Sequence, residues 1–243
     1  MSAEKRSLAS STSPSDPAAA TKARRSAGVA NVLNIVSQGW AWRIGLQAGG
    51  TGPVAARHAI AATWIGKAGN QLLPGKVGEV ARIALIRSHL APEHREVTRI
   101  VGSVIAQRAF SFLATFVIVA MIALMMPLPI DVPGGRWGPP TLLVGLALTG
   151  VALSKMTWFR LPTFNGSGRF RTMAANFAGG AGLLRPNPAA ARALGFHLIG
   201  VLAQLTMFEC LLRGFDVSAP ATAPLLIIAL VALVGAVPGT PGG

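Results

Sequence analysis

A chain of 243 residues with a net charge of +14, from 22 Lys and Arg against 8 Asp and Glu, is half hydrophobic and only 12% charged. Ordinary soluble domains carry about 25% charged residues, so the composition excludes that class. The cations stand between apolar runs, as in the cytosolic loops of multi-pass membrane proteins, which argues against a nucleic-acid partner.

Residues 1 to about 27 are rich in Ser, Ala, Pro and Thr and carry Lys5, Arg6, Lys22, Arg24 and Arg25. Too little apolar surface is available to bury, so the expectation is a disordered basic cytosolic tail. Leu8 to Ala20 is too polar for the apolar stretch of a signal peptide. The remainder, 28–243, reads as one helical transmembrane domain.

A first span is expected at 28–47, with Trp40 and Trp42 at a membrane interface. Residues 54–73 are diluted by Arg57, His58, Lys67, Asn70 and Gln71, while Ala59, Ala62, Gly66 and Gly69 permit close helix approach. That segment either crosses or dips in and returns as a re-entrant hairpin at Pro74. Beyond it, Ile83, Ile86 and Leu90 at helical spacing, read as opposite Arg82 and His89, suggest an amphipathic surface helix. The strongest span is 100–126, interrupted only by Gln107 and Arg108. Further spans are expected at 141–156, 193–212 and 225–242, with a short membrane-surface helix over Met173 to Leu184.

The fold class is therefore all-α: a polytopic helical membrane protein with about six hydrophobic segments, one or two of them re-entrant at Pro-Gly motifs. If all six cross, the tail and the basic loops 74–99 and 157–192 share the cytosolic face of the cytoplasmic (inner) membrane. If 54–73 is re-entrant, the tail changes sides.

Leu73-Pro74-Gly75-Lys76-Val77-Gly78 is echoed by Val237-Pro238-Gly239-Thr240-Pro241-Gly242, each following an apolar run. Paired interrupted segments of this kind mark transporter binding sites, although Pro-Gly is also common helix-ending punctuation. With Asn70 and Gly78 to Glu79 and Arg82 around the first motif, and Gln107-Arg108 in the next span, the chain resembles the lysylphosphatidylglycerol synthase transmembrane-region family from about residue 28 to 243. The resemblance implies a bacterial cell-envelope protein, flippase-like, that moves an anionic lipid or lipid-linked precursor between leaflets. It also implies that the chain is incomplete at its C-terminus relative to the family. The alternatives are a non-catalytic scaffold for an envelope enzyme, or an inactive truncated member.

On that resemblance the lipid headgroup would meet Lys76, Glu79, Arg82 and Arg108. Asn70, Pro74, Gly75, Gly78, Pro238, Gly239, Pro241 and Gly242 would form the structural motifs. Glu209 and Arg213, one turn apart, are expected to make an internal pair. Cys210, the lone cysteine, allows neither an internal disulfide nor a cysteine metal site, and four scattered histidines show no ligand spacing. No catalytic residue, metal or cofactor is expected, and no aminoacyl-transferase domain is present in this stretch. The expected partners are anionic membrane lipids, with an envelope enzyme or a second copy as protein partners.

Overall fold

The computed structural model describes residues 16–73, 77–125, 168–184, 187–220 and 222–236. The described residues are mostly helical, and no strand occurs among them. In chain order they form α1 (Pro17–Ala48), α2 (Ala56–Leu72), α3 (Val77–Ser88), α4 (Val97–Met125), α5 (Gly168–Gly180), α6 (Pro188–Gly214) and α7 (Ala223–Ala236). Short 3-10 turns cover Pro92–His94 and Ala181–Leu184.

Helix α1 starts where its sequence supplies a start. Asp16 accepts a hydrogen bond from the Ala18 amide at 2.9 Å, and Pro17 has no amide to leave unpaired at the first helical position. The tail expected to be disordered to about residue 27 is thus helical from Pro17. Tertiary contacts hold this first stretch: Arg24 donates to the Gly214 carbonyl at 3.0 Å and lies over the Phe215 ring. Residues 1–15 lie outside the described residues. Helix α6 begins the same way, with the Asn187 side chain accepting from the Ala190 amide at 2.7 Å and Pro188 at the first position.

Helices α1 and α6 run antiparallel along their length. The pair is tied by Arg24 to Gly214, by Asn34 to Gly200 and by the stacked rings of Trp40 and Phe196. Helix α4 packs beside both. Its start meets the end of α1, where Arg99 donates to the Gly50 carbonyl at 3.0 Å. We call this the basal end of the bundle, and the end holding Arg24 and Gly214 the far end.

Helices α2 and α3 form a hairpin whose two open ends both lie at the basal end. There the rings of His58 and His89 sit 4.0 Å apart. From there α2 rises beside the middle of α1, where Lys67 meets Asn34 at 2.8 Å. Glycine makes the approach possible. A Cβ on Gly78 would collide with the Gly66 carbonyl oxygen and lie 2.6 Å from the Asn70 amide, so only glycine fits there.

The start of α1 and the loop 89–96 stand at opposite ends of the bundle, the placement that goes with the re-entrant alternative for 54–73 rather than with six crossings. The short helix expected over Met173 to Leu184 is present as the end of α5 and the turn Ala181–Leu184. Helix α5 ends against α4, where a Cβ on Gly180 would strike the Arg99 carbonyl oxygen, and Leu183 is fully buried. The expected span 141–156 and the end of 225–242 lie outside the described residues.

Among the described residues two helices are long and apolar enough to cross a membrane: Val97–Met121, of mean hydropathy 1.9, and Pro188–Gly214, of mean hydropathy 1.5. Their outward faces are apolar, with Ile105, Phe112, Val117 and Met121 of α4 and Ile199 and Leu202 of α6 exposed. The core beneath is built from Trp42, Leu46, Ala59, Ala62, Ile86 and Ile100 at the basal end. Ala114, Ile118 and Val201 continue it between α4 and α6.

Candidate functional site

Where the end of α2 and the start of α3 meet α1 and α4, the helices line a cavity of about 250 Å³. Its polar lining includes Gln38 of α1, Lys67 and Asn70 of α2, Glu79 and Arg82 of α3, and Gln107 and Arg108 of α4. Its apolar lining includes Phe112 of α4 and Ile228 and Val231 of α7. Gln107 lies ten residues into α4, roughly 15 Å from its start at helical rise, which is about half the thickness of a bilayer's hydrocarbon core.

Glu79 is the hub of this cavity. Arg108 of the neighbouring helix donates to its Oε1 at 2.7 Å, and Arg82, one turn along α3, approaches its Oε2 at 3.4 Å. Arg82 is only 7% exposed. Its stem packs over Gly66, its guanidinium lies 3.9 Å from the centroid of the Trp42 ring, and it donates to the Gln107 side-chain oxygen. A cation this deep is tolerable only because a carboxylate, an amide oxygen and an aromatic face surround it.

From there the polar chain continues through α1. Gln107 donates to the Gln38 carbonyl at 3.1 Å, and Gln38 donates to the Asn34 side-chain oxygen at 3.2 Å. Lys67 donates to that same oxygen, and Asn34 itself donates to the Gly200 carbonyl at 2.6 Å. One continuous network therefore joins α1, α2, α3, α4 and α6 beside the cavity.

Several expectations change in this light. Arg82 does not lie opposite Ile86: both point inward, as residues four apart on a helix do. Glu79 and Arg82 pair inside the bundle, and a second cation shares the carboxylate. Arg108, expected at the headgroup site, lies at the cavity wall paired with Glu79. Trp42, expected at a membrane interface, is fully buried and donates to Ser103 at 3.1 Å. Glu209 and Arg213 do pair, at 2.7 Å, but on the outside of the bundle rather than within it.

Asn70 and Gly78 sit at the hairpin's close contact. Asn70 also lines the cavity, and its side-chain oxygen is buried without a partner. Pro74, Gly75 and Lys76 lie outside the described residues, as do Pro238, Gly239, Pro241 and Gly242. Lys67, Gln38 and Asn34 were not singled out by sequence, although a lysine inside an apolar run is itself a signal of a polar site. Among the described residues no group of three or more His, Cys, Asp or Glu side chains is placed to hold a metal.

A family model described as the lysylphosphatidylglycerol synthase TM region matches residues 10–243. The chain belongs to this family. It is accordingly a membrane-associated protein, and the residues that line the polar cavity fall within the matched stretch. The match begins ahead of α1, so the helical stretch before residue 28 is part of the family region too. Comparison with curated proteins gave no match, nor did comparison with solved structures.

Proposed function

We propose that this member of the lysylphosphatidylglycerol synthase transmembrane-region family translocates a lipid, or a lipid-linked precursor, with an anionic headgroup between the leaflets of the cytoplasmic membrane. The observation that carries this reading is the cavity itself. Three cations, Lys67, Arg82 and Arg108, and one carboxylate, Glu79, line a space at mid-depth of a bundle whose outer surface is apolar. Intramembrane charges are costly and mark substrate pathways. An excess of positive charge there favours a phosphate.

The wall that includes Phe112 and Val231 is apolar, and both side chains are about half exposed at 45% and 50%. A lipid could keep its chains against that wall while its headgroup reached the polar floor. In this reading α1, α4 and α6 cross the bilayer. The α2–α3 hairpin enters and returns on one side. The basic loop after α3 faces the cytosol with 157–192, and the chain acts without catalysing a covalent step.

The test is leaflet exchange of tail-labelled phosphatidylglycerol in vesicles holding the purified protein, with Arg108→Ala beside the wild type. Exchange above that of protein-free vesicles, lost in a variant that still unfolds cooperatively, is expected. A folded wild type that leaves exchange at the protein-free rate would overturn the proposal and favour a scaffold for an envelope enzyme.

A further inference from the structure

Two titratable rings join the open ends of the α2–α3 hairpin. His58 stands in the first turn of α2 and His89 just past the end of α3. Their ring centres lie 4.0 Å apart, with the planes tilted by 40°. The hydrogen bonds around them fix where the protons sit. Arg57 donates through Nε to His58 Nε2 at 3.3 Å, so that nitrogen offers a lone pair and the neutral ring keeps its proton on Nδ1. His89 Nδ1 lies 2.8 Å from the Leu85 carbonyl oxygen, which can only accept, so His89 carries a proton there.

A second proton on His58 would enter at Nε2. It would set an N–H against the Arg57 N–H, and place a positive charge between a guanidinium and another imidazole. Partial burial first, then His89 and then Arg57, accordingly hold the His58 imidazolium below the ordinary histidine range. The other charged groups of this end are engaged elsewhere. Arg43 of α1 donates to the Val54 carbonyl at 2.7 Å, Arg87 of α3 to the Arg95 carbonyl at 3.2 Å and Arg95 to the Leu90 carbonyl at 3.0 Å. His94 packs its ring over Gly52, ahead of α2. Glu93 and Glu96 stand exposed in the loop after α3 and pair with neither ring.

We propose that Arg57, His58 and His89 form a pH-sensitive clasp across the open ends of the hairpin, closed while His58 is neutral and released when it takes up a proton. The folded ring binds a proton less readily than the ring of an unfolded chain. The clasp's contribution to stability is therefore complete above a pH of about 6.5 and is lost as pH falls through and below that value. Farther along the same two helices stand Lys67, Glu79 and Arg82, so release at the basal end loosens the wall of the polar cavity. The clasp stands on the hairpin's own geometry, whether or not the protein moves a lipid.

Two measurements on the full-length protein in detergent test the clasp. The first follows the His58 ring by NMR as pH is lowered. Its midpoint is expected to rise by about half a pH unit or more when Arg57→Gln and His89→Gln are combined, since both neighbouring positive groups are then gone. The second compares amide-hydrogen protection in α2 and α3 with that in α6 at the same pH, which cancels the chemical pH dependence of exchange. In the wild type that ratio should fall at least about threefold from about pH 7.5 to about pH 5.5. A variant carrying His58→Phe with His89→Phe keeps two rings in contact and takes up no proton, so its ratio should stay level with pH. A wild-type ratio that does not change with pH would overturn the clasp. So would the same fall in the phenylalanine variant, or a His58 midpoint left in place by the loss of both neighbours.

Discussion

The protein contains two acid–base groupings that look alike on paper and differ in everything that matters energetically. Glu79 with Arg82 and Glu209 with Arg213 are both carboxylate–guanidinium pairs one helical turn apart. The second has its arginine side chain 74% exposed near the end of α6, so solvent takes over when it is broken. The first lies between helices with its arginine 9% exposed, shares its carboxylate with Arg108 and connects to four other polar side chains. The lesson is that the ion pair's surroundings, not its spacing, decide its worth.

The largest effect expected is from Glu79→Gln. It leaves Arg82 buried without a carboxylate and should cost about 3–5 kcal/mol, seen as a marked fall in the melting temperature in detergent. Adding Arg82→Met to that variant should recover part of the loss, because the orphaned charge goes with its partner. A double variant no more stable than Glu79→Gln would show that the buried pair is not an energetic unit.

Gly78→Ala comes next. The added methyl meets the Gly66 carbonyl, which belongs to the backbone of α2 and has little room to retreat, so a loss of about 1–3 kcal/mol is expected. Trp42→Phe keeps a ring beneath Arg82 but deletes the hydrogen bond to Ser103, for about 1 kcal/mol by thermal unfolding. Smallest is Glu209→Gln, expected within about 0.5 kcal/mol of the wild type. A melting temperature that dropped as far for Glu209→Gln as for Glu79→Gln would erase the contrast between the two pairs.

Much of this arrangement was legible in the residues. The small side chains from Ala59 to Gly69 announced a close helix contact, and Gly78 supplied its other half. Glu79, Arg82 and Arg108 were singled out as one site, and the structure brings them together. What sequence left open was the hairpin's path. Residues 54–73 are long enough to cross and polar enough to return, and the choice rests on His58 meeting His89 across more than thirty residues. What it misjudged was depth. Arg82 read as a solvated cation because nothing local tells that Gly66 makes room for its stem, or that Trp42 and Gln107 wait beyond. Lys67 read as mere dilution of an apolar run, since its partner Asn34 lies one helix earlier.

The open ends of the α2–α3 hairpin, both basal, bear on how the chain is threaded during synthesis. Helix α1 descends to the basal end and α4 leaves from it, so the segment between them need never be carried to the opposite compartment. In the translocator reading, α1 and α4 insert as neighbours of opposite direction, and the hairpin folds upward into the space between them afterwards. Cysteines placed at His58 and at His89 would then both react with an impermeant reagent from one and the same side, and neither from the other. The native Cys210, close to the far end, marks the opposite half of the molecule and serves as the internal reference once Cys210 and each new thiol are probed in turn.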